Sequence, residues 1–174
     1  GRIVEQADRM VHIIEHVRMF AREAGKPEVA AMQVNDVVNS SMDMLGTQFR
    51  SHGIELALDL AEGLPSVLGN AYSLEEVILN LLNNARDAVE ERLEAAATVP
   101  GRVEMRTTRD GQDVRIEVQD NGAGIPLEVI SKVFDPFFTT KDPDKGTGLG
   151  LSISKSIVEE CGGTLQIQSA PGEG

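Results

Sequence analysis

Residues 77–88, with the sequence VILNLLNNARDA, combine an apolar helix face with a regular polar stripe. At 100° per residue, aliphatic side chains occupy one side, and an arc of about 80° carries amides and carboxylates. The members of this polar stripe are Glu76, Asn80, Asn84 and Asp87. The pattern predicts a helix over about residues 71–96, capped by Asn70, and it fixes which side of that helix enters the core.

The polar stripe indicates a binding site, because solvated helix faces usually combine lysine and arginine with glutamate. Amide oxygens suit Mg²⁺, which keeps water and substrate phosphates as ligands and needs few ligands from the protein. Asn80 and Asn84, one helical turn apart, are the candidate metal ligands. The alternative is that the two amides specify how helices pack, but acids on the same stripe favour the site.

A second candidate site follows an alternating strand at Asp120-Asn-Gly-Ala-Gly124. Gly122 and Gly124 permit positive φ and close approach of a ligand. A buried carboxylate at Asp120 can accept a hydrogen bond from an exocyclic amine, which discriminates against bases that lack this donor. Taken alone, the motif favours an ordinary Asx turn.

The glycine segment, Gly-Thr-Gly-Leu-Gly at residues 146–150, opens a helix predicted over about residues 148–161. Backbone N–H groups at a helix N-terminus bind phosphate, although this pattern matches neither the Walker loop nor the dinucleotide fingerprint. Lys141 and Lys145 precede the helix and can neutralise phosphate charge. The alternative for both is an ordinary solvated lysine.

A phenylalanine cluster borders a polar loop predicted over about residues 135–147. Its members are Phe134, Phe137 and Phe138. Aromatic side chains at this place predict an anchor in the core, and the same anchor can act as the hinge of a lid. Such a lid would cover a ligand bound at the neighbouring motifs.

Strands and helices are mixed along the rest of the chain, which predicts an α+β fold. The predicted strands occupy about residues 32–34, 54–60, 67–68, 103–108, 114–119 and 165–167. Asp110-Gly111 is a hairpin turn signal, and Asn35 can cap a helix over about residues 35–49. We therefore expect a mixed or largely antiparallel sheet with helices on one face.

Residues 1–24 repeat apolar side chains at alternating spacings of three and four. This narrow seam predicts a long helix, and it favours pairing with a second helix over packing on its own domain.

Charge and composition exclude several classes of function. Sixteen basic against 28 acidic residues give a net charge of −12, which opposes binding of nucleic acid or an anionic membrane across the general surface. A single cysteine, Cys161, excludes an internal disulfide and a cysteine metal site. No apolar run approaches the length of a membrane span.

In this order and spacing, the four motifs resemble those of the catalytic, ATP-binding domain of sensor histidine kinases, in the GHKL superfamily. Asn80 and Asn84 match its N box, Asp120 begins its first glycine box, and the phenylalanine cluster and the glycine segment match its F box and second glycine box. The Pro-Phe-Phe-Thr-Thr-Lys form resembles the nitrogen-regulation class. The resemblance implies a two-layer α/β sandwich of GHKL or Bergerat type, preceded by a long N-terminal helix.

The resemblance also implies a domain organisation. Residues 1–25 would form the second helix of the dimerisation and phosphoacceptor hairpin. Residues 30–174 would form the catalytic ATP-binding domain, with its last strand truncated. Because the phosphoacceptor box is absent, the first hairpin helix and its histidine are expected to be missing, so the chain should bind ATP without phosphorylating itself.

The family's site roles carry over to matching positions. Asn80 and Asn84 would bind Mg²⁺ and phosphates, Asp120 would read the adenine amino group, and Glu76 would polarise the incoming histidine. The other cofactor-binding positions implied by the resemblance are Asp87, Gly122, Gly124, Lys141, Gly146, Thr147, Gly148, Leu149 and Gly150.

One position departs from the usual family pattern. Many members carry lysine or arginine three residues after the second asparagine, where this chain has Asp87. The phosphate contact is therefore expected to pass to Lys141. Aspartate at this spacing also occurs in the gyrase, chaperone and mismatch-repair branches of the superfamily.

The resemblance implies ATP or ADP with Mg²⁺ as ligands. The implied partners are a response-regulator receiver domain and, in the full-length protein, a second copy of the chain. Nucleic acid and direct membrane contact are not expected. The implied location is cytoplasmic, and a membrane anchor in the parent protein is left open.

Two other functions stay open. One is a GHKL ATPase of the chaperone or mismatch-repair kind, in which a carboxylate activates water. The helical seam and the Phe-Phe-Thr-Thr motif argue against it. The other is a nucleotide-binding or dimerisation module without activity, against which the intact asparagine, aspartate and glycine positions argue.

Overall fold

The computed structural model describes residues 29–95, 99–141, 146–170, 172 and 174. The elements in chain order are β1 (Ala30–Met32), α1 (Val34–Ser51), β2 (Ile54–Leu60), β3 (Val67–Gly69), α2 (Ala71–Ala95), β4 (Gly101–Asp110), β5 (Asp113–Asp120), α3 (Leu127–Ile130) and α4 (Gly150–Glu160). The helix predicted over residues 1–24 and Lys145 lie outside the described residues. Within the described ranges, no helix combines the length and apolar composition that crossing a bilayer requires.

The larger sheet has the strand order β2-β4-β5 and is mixed. β2 runs parallel to β4, with Ile54 opposite Gly101, and β4 pairs antiparallel with β5, with Val103 opposite Asp120. β1 and β3 form a separate antiparallel pair. The predicted hairpin is confirmed, and Gly111 in its turn has a φ of 65°, which glycine adopts without strain.

Helices α1 and α2 cover one face of the larger sheet. Alternate residues of β4 face the helices, and Val103 and Met105 are fully buried there. Phe49 of α1 and Ile78 and Leu82 of α2 are fully buried in the same cluster. The other face of β2 and β4 carries exposed arginine–carboxylate pairs. The predicted two-layer α+β arrangement, with helices on one face of a mixed sheet, is confirmed.

Asp120 ends the row of inward-facing side chains on strand β5. Val114, Ile116 and Val118 are half-buried against the core and alternate with exposed residues. Asp120 is the next position of this row. Because strand side chains alternate with a period of two, the carboxylate is directed toward the helix side of the sheet.

The two predicted asparagine caps have different outcomes. Asn70 is confirmed as a cap, because its Oδ1 accepts a hydrogen bond from Ser73 N at 3.0 Å. Asn35 was the wrong choice, since α1 begins at Val34. Asn35 instead donates to the carbonyl of Ala61 at 2.9 Å and accepts from the buried Thr107 hydroxyl at 2.8 Å. The need to satisfy buried polar groups on the sheet takes this side chain away from the helix end.

The strand predicted at residues 165–167 is not formed as a paired strand. Residues 163–170 have no ladder partner among the described residues. Leu165 and Ile167 are half-buried and alternate with exposed neighbours. The period-two pattern therefore predicted correctly that one side of this segment packs against the protein. A hydrogen-bonded neighbour is a separate requirement that the pattern does not test.

Candidate functional site

The polar stripe of α2 is in direct contact with the first turns of α4. Asn80 Nδ2 donates to Ser154 Oγ at 2.8 Å, and Ser154 is 2% exposed. A Cβ added at Gly150 would overlap Asn80 Oδ1 and would lie 2.8 Å from Asn80 Cγ. The glycine that begins α4 therefore lets the helix approach the stripe. Two motifs that lie far apart in sequence are brought together here.

Asn84 and Glu76 lie one turn to either side of Asn80 on the same stripe. Both are half-buried, and neither side chain forms a hydrogen bond or an ion pair within the described part of the chain. Burial raises the pKa of Glu76. An amide and a carboxyl with unused polar atoms at this depth are suited to receiving a ligand.

Asp87, the last member of the stripe, is engaged by two cations. Its Oδ2 lies 2.5 Å from Lys141 Nζ, and its Oδ1 lies 2.8 Å from Arg86 Nη2. Burial by itself would raise the pKa of Asp87, but hydrogen bonds from Lys141 and Arg86 outweigh it and hold the pKa below its usual value. Lys141, predicted as a phosphate neutraliser, is thus placed at the stripe.

The β5 turn, residues 120–125, is bonded to α2 at Ala88, about two turns past Asn80. Asp120 Oδ1 accepts from Gly122 N at 2.8 Å, and Ala123 N donates to the carbonyl of Ala88 at 3.0 Å. Burial raises the pKa of Asp120, and the Gly122 bond offsets part of that effect. A Cβ added at Gly122 would lie 2.6 Å from Ala88 Cβ, so only glycine permits this approach.

The segment after α4 wraps the outside of the β5 turn. Ser169 Oγ accepts from Ile125 N at 2.8 Å and donates to the carbonyl of Gly174 at 3.2 Å. Gly172 N donates to the carbonyl of Ala123 at 2.8 Å. Gly124 has a φ of 73°, and a Cβ there would overlap the Ala170 carbonyl. These contacts fix the backbone that carries Asp120.

The phenylalanine cluster differs from the prediction of three rings anchored in the core. Phe134 and Phe138 are half-buried, but the Phe137 side chain is 74% exposed. Phe137 has a φ of 67°, and its N–H donates to the carbonyl of Gly148 at 2.8 Å. Phe137 is therefore held by a main-chain bond to the glycine segment, and its ring does not provide the core anchor that was predicted.

Sequence reasoning missed Ser154 and Ser169. Ser154 lies among apolar residues of α4, and a hydroxyl on an apolar helix face is a signal that a buried polar partner exists. Ser169 lies in a short polar segment, where a serine is unremarkable, so no local signal distinguishes it.

The donor atoms of the described site residues suit a Mg²⁺ ion that is bound together with phosphates. No group of three or more histidine, cysteine, aspartate or glutamate side chains in the described ranges could hold a metal ion. Mg²⁺ does not need such a group, because it is usually bound by one or two protein oxygens together with substrate phosphates and water. The amide of Asn84, which has no hydrogen-bond partner among the described residues, could supply an oxygen ligand. The ammonium of Lys141, whose stem runs beside Gly146, could supply a positive charge.

Comparison with known proteins gives consistent matches over this region. The family described as "Histidine kinase-, DNA gyrase B-, and HSP90-like ATPase" matches residues 69–174. The two-component sensor PprA of Pseudomonas aeruginosa is 36% identical over 164 residues, which cover 94% of this chain and 18% of that protein. The sensory histidine kinase/phosphatase NtrB of Rhodobacter capsulatus is 32% identical over 183 residues, covering 98% of this chain and 48% of that protein.

A solved structure agrees with these matches. The nucleotide-free catalytic domain of the histidine kinase ThkA superimposes with a TM-score of 0.64 at 29% identity, covering 76% of this chain and 81% of that one. The chain spans less than half the length of either curated relative. Given the match over residues 69–174 and the convergence of its motifs on α2, the chain belongs to the histidine kinase-, DNA gyrase B- and HSP90-like ATPase family.

Proposed function

We propose that residues 30–174 form the catalytic ATP-binding domain of a sensor histidine kinase, with residues 1–25 as the second helix of its dimerisation hairpin. One observation carries the proposal. A single helix, α2, contacts the start of α4 through Asn80 and the β5 turn through Ala88. A ligand with a base at one end and phosphates at the other needs two such sites at a fixed separation.

The β5 turn is proposed to bind the base. Asp120 uses one carboxylate oxygen for Gly122 and keeps the other for the exocyclic amine of adenine. Guanine has a carbonyl oxygen at the corresponding ring position, so it would place an acceptor against a carboxylate. Gly122 and Gly124 allow the backbone to stay close to α2 and to the segment after α4.

The polar stripe and the glycine segment are proposed to bind the phosphates. Asn84, with Asn80, would supply amide oxygens to Mg²⁺, which neutralises phosphate charge when it is bound. Backbone N–H groups of Gly146, Thr147, Gly148, Leu149 and Gly150 would donate to phosphate oxygens at the start of α4. Lys141 would add positive charge at this place, in a chain whose net charge is −12.

In the whole protein, the γ-phosphoryl group of ATP would pass to a histidine outside this chain. The bond between the γ-phosphorus and the bridging oxygen breaks, ADP leaves, and a phosphorus–nitrogen bond forms. Glu76 would orient the imidazole and take the proton it releases, a role suited to a carboxyl whose pKa burial has raised. A response-regulator aspartate would then receive the phosphoryl group, in a homodimeric, cytoplasmic kinase.

Calorimetric titration of an ATP analogue tests the proposed site. Asp120→Asn should weaken binding roughly tenfold to a hundredfold, since a hydrogen bond to a charged group contributes about 1.5–3 kcal/mol. Wild type should prefer adenine over guanine nucleotides, and Asp120→Asn should lose that preference. The matched control is Asp113→Asn, which removes the same charge from the exposed start of β5.

Equal affinity for adenine and guanine nucleotides in wild type, or full affinity in Asp120→Asn, would refute the assignment of the base site.

A second test incubates the chain with labelled ATP. We expect no acid-labile phosphate on the protein. Fast hydrolysis of ATP that is lost in Glu76→Ala would replace the kinase proposal by that of a water-activating ATPase.

A further inference from the structure

The ion pair between Asp87 and Lys141 joins the polar stripe to the segment after the phenylalanine cluster. Asp87 Oδ2 accepts from Lys141 Nζ at 2.5 Å, and Asp87 Oδ1 accepts from Arg86 Nη2 at 2.8 Å. Arg86 also reaches α1, where its Nη1 lies 3.3 Å from Gln48 Oε1. Each carboxylate oxygen therefore has its own cation, and Lys141 is the one that neighbours the glycine segment.

Lys141 is also fixed at its backbone and along its stem. Its N–H donates to Thr139 Oγ1 at 3.2 Å. A Cβ added at Gly146 would lie 3.3 Å from Lys141 Cβ and 3.6 Å from Lys141 Cδ, so the stem runs beside the first glycine of the segment. An ammonium has three N–H donors. Asp87 accepts one, and no other acceptor for this ammonium lies among the described residues, so two N–H groups stay available to a ligand.

Stability accounts for only a small part of this pair. The Lys141 and Asp87 side chains are 32% and 30% exposed. Ion pairs at such exposure contribute little, because solvent screens the charges and two side chains lose conformational freedom. A lysine stem without an anion to orient it would sample many rotamers, and the entropy of fixing it would oppose phosphate binding.

We propose that Asp87 is a positioning residue for phosphate binding. It does not touch the nucleotide, and it holds the Lys141 ammonium between the polar stripe and the glycine segment, where phosphates would lie. This inference rests on the proposed function. The same pairing lets Lys141 screen the Asp87 carboxylate from an incoming polyanion, so the aspartate can stand beside the phosphate site without repelling its ligand.

A double-mutant cycle of Asp87→Asn and Lys141→Met tests the inference. Calorimetry measures the Kd of a non-hydrolysable ATP analogue and of AMP, each with Mg²⁺, for wild type, both single variants and the double variant. Lys141→Met should weaken binding of the analogue about tenfold in wild type and about twofold or less in Asp87→Asn, where the lysine is no longer held. AMP, which lacks the outer phosphates, should bind all four proteins within about twofold.

The matched controls are Asp59→Asn and Lys132→Met. Asp59 pairs with Arg106 at 2.8 Å on the far face of the sheet, and Lys132 is exposed. Neither control should change binding of the analogue beyond about twofold. Thermal melts verify that every variant is folded, and Lys141→Gln replaces Lys141→Met if the latter is not.

If Lys141→Met weakened binding of the analogue equally in wild type and in Asp87→Asn, the inference would be overturned, because the lysine would then act without Asp87. Equal binding of the analogue by all four proteins would overturn it as well. Those outcomes leave the proposed function standing as long as binding still requires Asp120. If wild type bound neither the ATP analogue nor AMP, the proposed function would be refuted, and the inference with it.

Discussion

Gly150→Ala is expected to separate α4 from the polar stripe. The added Cβ would overlap Asn80 Oδ1, and it would lie 2.8 Å from Cγ and 3.0 Å from Nδ2 of the same side chain. The three nearest atoms all belong to Asn80, so either that amide or the start of α4 must move. Moving the amide breaks its 2.8 Å hydrogen bond to Ser154, whose hydroxyl is almost fully buried.

The free energy of unfolding should fall by about 1–6 kcal/mol. Overpacking a well-filled contact costs about 1–3 kcal/mol. Leaving the Ser154 hydroxyl unpaired costs a further 1–3 kcal/mol, roughly. Alanine in place of glycine returns at most about 1 kcal/mol of helix propensity, and less at the first residue of a helix such as α4.

Urea unfolding followed by circular dichroism measures this change in the ligand-free protein. In an Asn80→Ala background all three close atoms are absent, so Gly150→Ala should cost less than about 1 kcal/mol there. Gly46→Ala is the matched control, because a Cβ in this part of α1 meets only Arg50 Nη1, at 3.8 Å. That control should be neutral or stabilising by up to about 1 kcal/mol.

An equal cost of Gly150→Ala with and without Asn80 would refute this reasoning, because the overlap with the amide could then not be the cause. A destabilised Gly46→Ala would show that glycine-to-alanine changes in helices of this protein are costly for some other reason.

Three further predictions concern pH and the β5 turn. Asp120→Asn should raise the melting temperature of the ligand-free protein at pH 7. The pKa of Asp120 is raised in the folded state, so ionisation of this carboxyl destabilises the fold as pH rises through that pKa. The gain in melting temperature should therefore vanish near pH 3, where the carboxyl is protonated in both states. Asp87→Asn should lower the melting temperature at pH 7. The pKa of Asp87 is lowered in the folded state, so the ionised carboxylate stabilises the fold above about pH 4, and this stabilisation is lost as pH falls. The melting temperatures of Asp87→Asn and wild type should therefore converge in acid. Ser169→Ala should lower the free energy of unfolding by about 1–3 kcal/mol, because Ile125 N loses its acceptor, whereas Ser156→Ala on exposed α4 surface should change it by less than about 0.5 kcal/mol.

The sequence alone predicts the elements whose patterns are local. Helix α2 follows from a run of period 3.6, the hairpin from Asp110-Gly111 between alternating strands, and the start of α2 from the Asn70 cap. Each depends on residues a few positions apart, where backbone geometry fixes which side chains share a face. The motifs of the candidate site were recognisable for the same reason.

Contacts between distant residues were not predictable in this way. Asn80 bonds Ser154 across a sequence separation of 74, and Asn35 bonds Thr107 across 72. A polar side chain has several possible partners, and only the assembled layers decide which one it meets. Phe137 illustrates the same limit, since an aromatic residue at the edge of a loop is normally expected to be buried, and here the main chain makes the connection.

Helix α2 contacts both the β5 turn and α4, so its length sets the distance between these two parts of the site. Between Asn80 and Ala88 it rises about 12 Å, at 1.5 Å per residue. A helix of this length is stiff, so the gap between the two ends of the site is set by a count of residues. Inserting one residue between these positions would lengthen the gap by only about 1.5 Å, but it would rotate one end against the other by about 100°. The interval between the two sites is therefore expected to tolerate substitution far better than insertion or deletion.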